Sequence, residues 1–261
     1  MNLDKPLPAS TTRCIVVFDQ QSHAGSARDI ASRLDLPCEM DSAEWDSCFR
    51  LQSGNQGWRL VSPKNSGLGI LKLDFGRGRL GWRLRQTKRR HPLGRAFGLS
   101  SGRDSLEIVD ATAGLGRDAL TLAALNNRVV LVERHPVIAF LLKDAIKRTA
   151  PEEIRKRIMI ENAESGEYLR ARPFAPDGIY LDPMYPDRGK SALVKQEMRI
   201  LRALVGADPD SGKLLQSALH SGARRVVVKR PANAPPLGGI IPSHFIKEPN
   251  TRYDVYVNKL S

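Results

Sequence analysis

From residue 106 to residue 230, short apolar runs alternate with longer amphipathic stretches. The apolar runs are rich in β-branched residues and nearly continuous, which is typical of strands covered on both faces. The stretches between them carry apolar residues at helical spacing. This alternation predicts a doubly wound, Rossmann-like and mostly parallel sheet. Its strands would be LEIVD, RVVLVE, RIMIE, DGIYLD and RRVVVKR, and its helices would include GRDALTLAAL, HPVIAFLLKDAIKR and SALVKQEMRILRALV.

The amino-terminal part follows another pattern. CIVVF at 14–18 predicts a buried strand, and apolar positions at helical spacing predict a helix at 25–34. Residues 49–85 contain the short runs FRLQS, GWRLVSP, LGILKLDFG and GRLGWRLRQ, separated by turn residues, which predict β-hairpins or a small meander. We therefore expect a small α/β subdomain at 1–85 and a connector at 86–105.

The carboxyl end departs from the alternating pattern. SHFIKE and TRYDVYV are separated by Pro249 and Asn250, and two such runs around a turn predict an antiparallel hairpin. This hairpin would complete the sheet of a main domain at 106–261. The fold class predicted is therefore α/β, with a mostly parallel sheet, an antiparallel carboxyl-terminal hairpin and a small amino-terminal α/β subdomain.

The charge of the chain points to an anionic partner. Lys and Arg number 41 against 28 Asp and Glu, a net charge of +13, and such a surplus on a folded protein favours a polyanion, although basic surfaces also serve solubility. Trp82 and His91 lie in the most basic segment and could stack on bases, although a Trp in a strand is more often core. That segment is an exposed linker or a surface for an anionic ligand, and its cations are Arg77, Arg79, Arg83, Arg85, Lys88, Arg89, Arg90 and Arg95.

Cysteine usage and hydropathy indicate the compartment. Cys14, Cys38 and Cys48 form no Cys-x-x-Cys pair and have no His at ligand spacing, so we expect free thiols in a reducing compartment and no metal site. The amino terminus lacks the apolar core of a signal peptide, and no apolar run approaches the roughly 20 residues that span a bilayer. We expect a cytoplasmic protein that does not enter the membrane.

A glycine-bearing loop follows the first strand of the main domain. Gly114 and Gly116 allow the backbone to approach a ligand closely, and the next helix offers free N–H groups at its amino end. Asp110 ends the strand before this loop and could contact a cofactor, cap the helix or bind loop amides. Glu133 ends the second strand, where its carboxylate can accept hydrogen bonds from ribose hydroxyls. The order of strand, acid, loop, helix, strand and acid predicts a nucleotide-like cofactor, whereas the loop alone also suits a tight turn without a ligand.

A second chemical motif, DPMYP, ends the fourth predicted strand. Pro183 fixes the backbone and withdraws a donor, so that carbonyl oxygens around Asp182 can act as acceptors for an exocyclic amine. Tyr185 offers a flat face for an extruded base. We assign Asp182 to positioning of the amine and to proton acceptance after transfer; the alternative is a capping Asp in a proline-rich turn.

These residues resemble a class I S-adenosylmethionine-dependent methyltransferase, with DATAGLGRD as cofactor loop and DPMYP in place of the Asp/Asn-Pro-Pro-Tyr/Phe motif. The blocks DATAGLGRDA, LVERHP, YLDPMYP, KSALVKQEMR and RVVVKRP with APPL are similar to the ribosomal RNA small-subunit methyltransferase J family, over about residues 106–240. The resemblance implies methylation of the exocyclic amine of a guanosine in small-subunit (16S) ribosomal RNA, with that RNA or the 30S particle as partner. It also implies that the residues holding S-adenosyl-L-methionine are Arg117, Asp118, Glu133, Arg134, Glu164, Ser165 and Asp182.

The sequence also allows other functions. GLGRDA with Glu133 also suits an NAD-dependent oxidoreductase, and the basic segment suits a non-catalytic RNA-binding assembly factor. DNA adenine methylation shares the motif chemistry. Five cations near the expected substrate edge could hold RNA phosphates or form a solvated face: Lys190, Lys195, Arg199, Lys229 and Arg230.

Overall fold

The computed structural model describes residues 14–19, 23–54, 56–88, 90–99, 105–184, 196–206 and 210–258. These residues form two compact units. The first contains the described residues up to Leu73 together with helix α8 (Gln196–Val205). The second contains Asp74–Met184 and the described residues after 209.

The first unit is a small α/β unit. Its five-stranded sheet has the order β2-β1-β3-β4-β5, in which β1 is parallel to β2 and β3, whereas β4 is antiparallel to both of its neighbours. Burial of Ile15, Val17 and Leu51 supplies its core. The predicted amino-terminal strand, helix and hairpin are therefore confirmed. The elements are β1 (Cys14–Phe18), α1 (Ala24–Leu34), β2 (Cys38–Met40), β3 (Phe49–Gly54), β4 (Gly57–Val61), β5 (Ile70–Leu71) and α8.

The prediction of a strand for GRLGWRLRQ is wrong, because this segment forms helix α2 (Gly78–Gln86). Leu80, Trp82 and Leu84 alternate as in a strand, but Leu80 and Leu84 also share one face of a helix. The buried residues are Gly81 and Leu84, and Trp82 is 61% exposed rather than in the core. The division at 1–85, 86–105 and 106–261 stays a prediction.

The second unit carries the predicted doubly wound sheet. Its seven strands have the order β11-β12-β10-β9-β6-β7-β8, and β12 pairs antiparallel with both β10 and β11. The fold class is confirmed, including the terminal hairpin. Besides α2, the elements are α3 (Pro92–Ala96), β6 (Glu107–Asp110), α4 (Arg117–Ala124), β7 (Arg128–Val132), α5 (Pro136–Thr149), α6 (Glu152–Arg155), β8 (Ile158–Glu161), α7 (Ser165–Ala171), β9 (Gly178–Leu181), α9 (Ser211–His220), β10 (Arg225–Pro231), β11 (His244–Lys247) and β12 (Thr251–Val257).

The order of the strands determines where a ligand can bind. β6 lies between β7 and β9, so the chain moves to one side of β6 with β7 and β8 and to the other side with β9 and β10. Crevices at such a switch point hold the ligands of open α/β sheets. The glycine-bearing loop follows β6 and Asp182 follows β9, so both emerge at the same edge. Among the described helices, none is long and apolar enough to cross a membrane.

Candidate active site

The loop after β6 is tied to the strands on both sides. The Ala111 N–H donates to the Tyr180 carbonyl oxygen (3.0 Å), and the Ala113 N–H donates to the Val132 carbonyl oxygen (3.2 Å). Gly116 caps α4 with a φ of 71°, and a Cβ at this position would lie 2.8 Å from Leu142 Cδ2. Only glycine combines that conformation with that approach.

Glu133, directly after β7, reaches into this loop. Its Oε2 accepts a hydrogen bond from the Gly114 N–H (3.0 Å), and its Oε1 accepts one from the His135 N–H (2.8 Å). The Asn162 side-chain amide donates to the Glu133 carbonyl oxygen (2.8 Å). Glu133 is 7% exposed. Its carboxylate is thus held in one orientation against the glycine loop.

Asp182 is joined to the glycine-bearing loop and the start of α4 by a hydrogen-bonded cluster, which we call the Lys229 bridge (Asp118, Tyr180, Asp182 and Lys229). Lys229 Nζ donates to Asp182 Oδ2 (2.9 Å) and to Asp118 Oδ2 (2.8 Å). The Tyr180 hydroxyl also donates to Asp118 Oδ2 (2.6 Å). The Asp182 N–H donates to Thr112 Oγ1 in the loop (2.6 Å).

The charges of the bridge stabilise one another. Burial opposes the charge of Lys229, but the carboxylates of Asp182 and Asp118 outweigh it and raise the pKa of Lys229. Burial likewise opposes the charge of Asp118, but Lys229 and the Tyr180 hydroxyl outweigh it and lower the pKa of Asp118. Burial and the same carboxylates raise the pKa of Tyr180, so its hydroxyl stays a donor. At neutral pH the cluster contains two carboxylates and one ammonium group.

Asp110 differs from these acids because it is 2% exposed. Burial raises its pKa to about 8, and the neighbouring charges of Asp118, Asp182 and Glu133 act in the same direction. Its Oδ1 accepts a hydrogen bond from the Thr112 N–H (3.1 Å). Asp110 is therefore mainly neutral at pH 7 and helps to shape the loop.

We expect Asp110→Asn to make the protein more stable than the wild type at pH 8. In the wild type, the folded state holds the Asp110 proton more tightly than the unfolded chain does. The bound proton therefore stabilises the wild-type fold fully below pH 4, and this contribution is lost as the pH rises to about 8. The free energy of unfolding of the wild type falls by an amount on the order of 5 kcal/mol over this range. The side-chain amide of the variant does not titrate, so the variant does not lose this stability. Urea unfolding at pH 5, 6.5 and 8 measures the difference. Equal pH dependence of both proteins would contradict this account; the exposed-site variant Glu153→Gln is the control.

Comparison with known proteins identifies the family. A model of a SAM-dependent methyltransferase family matches residues 30–258. The ribosomal RNA small subunit methyltransferase J of Thioalkalivibrio sulfidiphilus is 43% identical over 255 residues, covering 95% of this chain and 99% of the relative. The chain belongs to the ribosomal RNA small subunit methyltransferase J family. The protein of that name from Tolumonas auensis is 40% identical over 248 residues, covering 93% of this chain and 97% of the relative.

A solved structure extends this similarity to three dimensions. The crystal structure of a SAM-dependent methyltransferase from Neisseria gonorrhoeae is 28% identical and superposes with a TM-score of 0.69, covering 94% of this chain and 95% of that chain. The chain is therefore a class I methyltransferase with S-adenosyl-L-methionine as its cofactor.

The residues around the loop fit this cofactor. The carboxyl groups of Asp110, Asp118, Glu133 and Asp182 are close enough to act on one another, and those of Asp118 and Asp182 share the ammonium group of Lys229. Carboxylates favour a positively charged sulfonium and accept hydrogen bonds from ribose hydroxyls. The negatively charged pyrophosphate of NAD would instead lie close to the carboxylate of Asp118 in the first turn of α4 and be repelled by it. The carboxylates around the loop thus argue against the alternative of an NAD-dependent oxidoreductase.

The other predicted cofactor residues lie at different places around the loop. Ser165 Oγ donates to the Ala111 carbonyl oxygen (2.6 Å), so the start of α7 contacts the loop. Glu164 caps α7, where its Oε2 accepts from the Glu167 N–H (2.7 Å). Arg134 is exposed, and Arg117 begins α4 with partial exposure.

The predicted target-binding residues are described only in part. Asp182 has a side chain that is 37% exposed, and Pro183 is buried. Tyr185 lies outside the described residues, as do Lys190 and Lys195.

The assignment of Lys229 and Arg230 to phosphate contacts is wrong. Lys229 binds two carboxylates, and Arg230 is 4% exposed and donates to the Pro235 carbonyl oxygen. The sequence carries a signal for the role of Lys229, since a lysine at the end of an otherwise apolar parallel strand needs a buried anion. Tyr180 was missed because a tyrosine within an apolar run also suits the core.

Proposed function

We propose that this methyltransferase acts on the exocyclic amine (N2) of a guanosine in small-subunit 16S ribosomal RNA. The observation that supports this most is the Lys229 bridge, which joins the acid of the DPMYP motif to the cofactor loop. The names of the relatives support small-subunit ribosomal RNA as the substrate. Naked RNA and the 30S particle are both candidates, and the cytoplasm is the proposed location.

Asp182 would position the target amine. The lone pair of an exocyclic amine is delocalised into the ring, so the reaction needs aligned acceptors more than it needs a strong base. Lys229 and the Thr112 hydroxyl hold the carboxylate and the backbone of Asp182, and Pro183 contributes no competing N–H. Asp182 can also take the proton that the amine nitrogen loses. Tyr185 is proposed to stack on the extruded base.

Loop residues would hold the cofactor. When bound, S-adenosylmethionine supplies a methyl group on a positively charged sulfur. Glu133 is proposed to bind its ribose hydroxyls, because its Oε2 already accepts a hydrogen bond from Gly114 in the loop and the His135 N–H holds its Oε1 in place. The remaining proposed cofactor residues are Asp110, Gly114, Gly116, Arg117, Asp118, Arg134, Glu164, Ser165 and Asp182.

Mapping of a labelled methyl group tests the proposal. The protein is incubated with labelled S-adenosylmethionine and either naked 16S RNA or 30S particles that lack the modification, and the RNA is digested to nucleosides. We expect label in N2-methylguanosine, and calorimetry should show binding of S-adenosylmethionine but not of NAD. Label in adenosine would contradict the guanine assignment. Cofactor binding without transfer to either substrate would favour the assembly factor instead.

A further inference from the structure

One face of α2 and the turn after it is strongly basic. We call it the α2 surface; its described members are Arg77, Arg79, Trp82, Arg83, Arg85, Lys88 and Arg90, and all of them are exposed. The sequence contains no acid between Gly76 and Leu99. Among the residues that the structure describes, no carboxylate forms an ion pair with any of these cations. Uncompensated like charges at this spacing repel one another, so they suit an external anion.

Trp82 lies within this basic face and not against the protein. The packed side of α2 contains Gly81 and Leu84, and a Cβ on Gly81 would lie 2.3 Å from the Gly76 carbonyl oxygen. Trp82, in contrast, is 61% exposed. A tryptophan in that position contributes little burial, but it can stack on any base, because every base has a π-face.

The α2 surface borders the active site within the same unit. Helix α2 packs against α4, which begins at the cofactor loop. His91 caps α3, where its Nδ1 accepts a hydrogen bond from the Leu93 N–H (3.2 Å). Burial lowers the pKa of His91, which also responds to the charges of Asp118 and Arg83. His91 is therefore within electrostatic range of both Asp118 in the Lys229 bridge and Arg83 in the α2 surface.

We propose that the α2 surface binds single-stranded RNA next to the target nucleotide, with Trp82 stacked on a base and the arginines bound to phosphates. Charge complementarity identifies the partner as a polyanion, and the exposed indole identifies it as one with unpaired bases. This inference rests on the proposed function, because it assigns the RNA contacts that lie outside the methyl-transfer site.

Fluorescence anisotropy with a labelled single-stranded 16S fragment, measured over a series of salt concentrations, tests the inference. We expect Trp82→Ala to weaken binding by about 10-fold with an unchanged salt slope. Arg79→Gln combined with Arg83→Gln should reduce the slope of log Kd against log salt by about 1.4, which corresponds to two phosphate contacts. Lys213→Gln, at an exposed α9 lysine paired with Asp210, is the matched control and should bind like the wild type.

Methyl transfer by the same variants separates this inference from the proposed function. At saturating RNA, Trp82→Ala should retain the kcat of the wild type, and Trp82→Phe should recover most of the binding. If the wild type transfers no methyl group, the proposed function fails, while the binding data still test the surface. Wild-type RNA affinity in Trp82→Ala would overturn the inference, as would equal competition by polyglutamate, which would indicate an acidic protein partner.

Discussion

Asp182→Ala is expected to lower kcat for methyl transfer to 16S RNA by about 10³-fold, with little change in the affinity for RNA. The variant removes the acceptor that aligns the amine and takes its proton, whereas contacts remote from the reaction remain. Single-turnover transfer of a labelled methyl group measures the effect. Because the Asp182 side chain is 37% exposed, we expect the variant to fold.

Two matched variants define the role of Asp182. Asp182→Asn keeps an acceptor oxygen but loses the charge, so a rate between those of the wild type and Asp182→Ala would separate alignment from proton acceptance. Glu153→Ala removes a carboxylate that is 75% exposed and should leave the rate unchanged. A rate for Asp182→Ala within tenfold of the wild type would remove Asp182 from the reaction.

Lys229→Met is expected to have the second-largest effect. It leaves the carboxylates of Asp118 and Asp182 close together without their cation. Because the pair is partly exposed, this should cost about 2 kcal/mol of stability, between the costs for exposed and for buried pairs. The pKa values of both acids should rise, because two like charges then share a partly buried site. The acid limb of the kcat profile should therefore move to higher pH, so that Lys229→Met retains a smaller fraction of its maximal activity at pH 5 than the wild type does.

Two further variants serve as controls for Lys229→Met. Lys213→Met removes a lysine whose side chain is 84% exposed, and it should change neither stability nor the pH profile. Adding Asp118→Asn to Lys229→Met should restore part of the lost stability, since it removes one of the unpaired charges. A pH profile of Lys229→Met that superposes on that of the wild type would show that Lys229 does not keep Asp182 ionised.

The strands of the main sheet could be predicted because their signal is local. A strand buried on both faces requires a continuous apolar run, and the runs before Asp110, Glu133 and Asp182 satisfy this requirement. The strand prediction for GRLGWRLRQ was wrong because its local pattern fits two structures. Its leucines suit both a period of two and one face of a helix, and only packing of Gly81 and Leu84 selects the helix.

The fold class, the glycine-bearing loop and the acid that ends β9 could be inferred from the chain alone, because strand periodicity and residue types at strand ends are properties of neighbouring residues. The partner of that acid, in contrast, follows from the three-dimensional fold. Lys229 is 47 residues from Asp182 and 111 residues from Asp118. The pairing of β9 with β10 brings Lys229 to Asp182, and the pairing of β9 with β6 brings the loop and helix α4, with Asp118, beside them. Contact across such distances depends on the order of the strands in the sheet, which the pattern of a single segment does not encode.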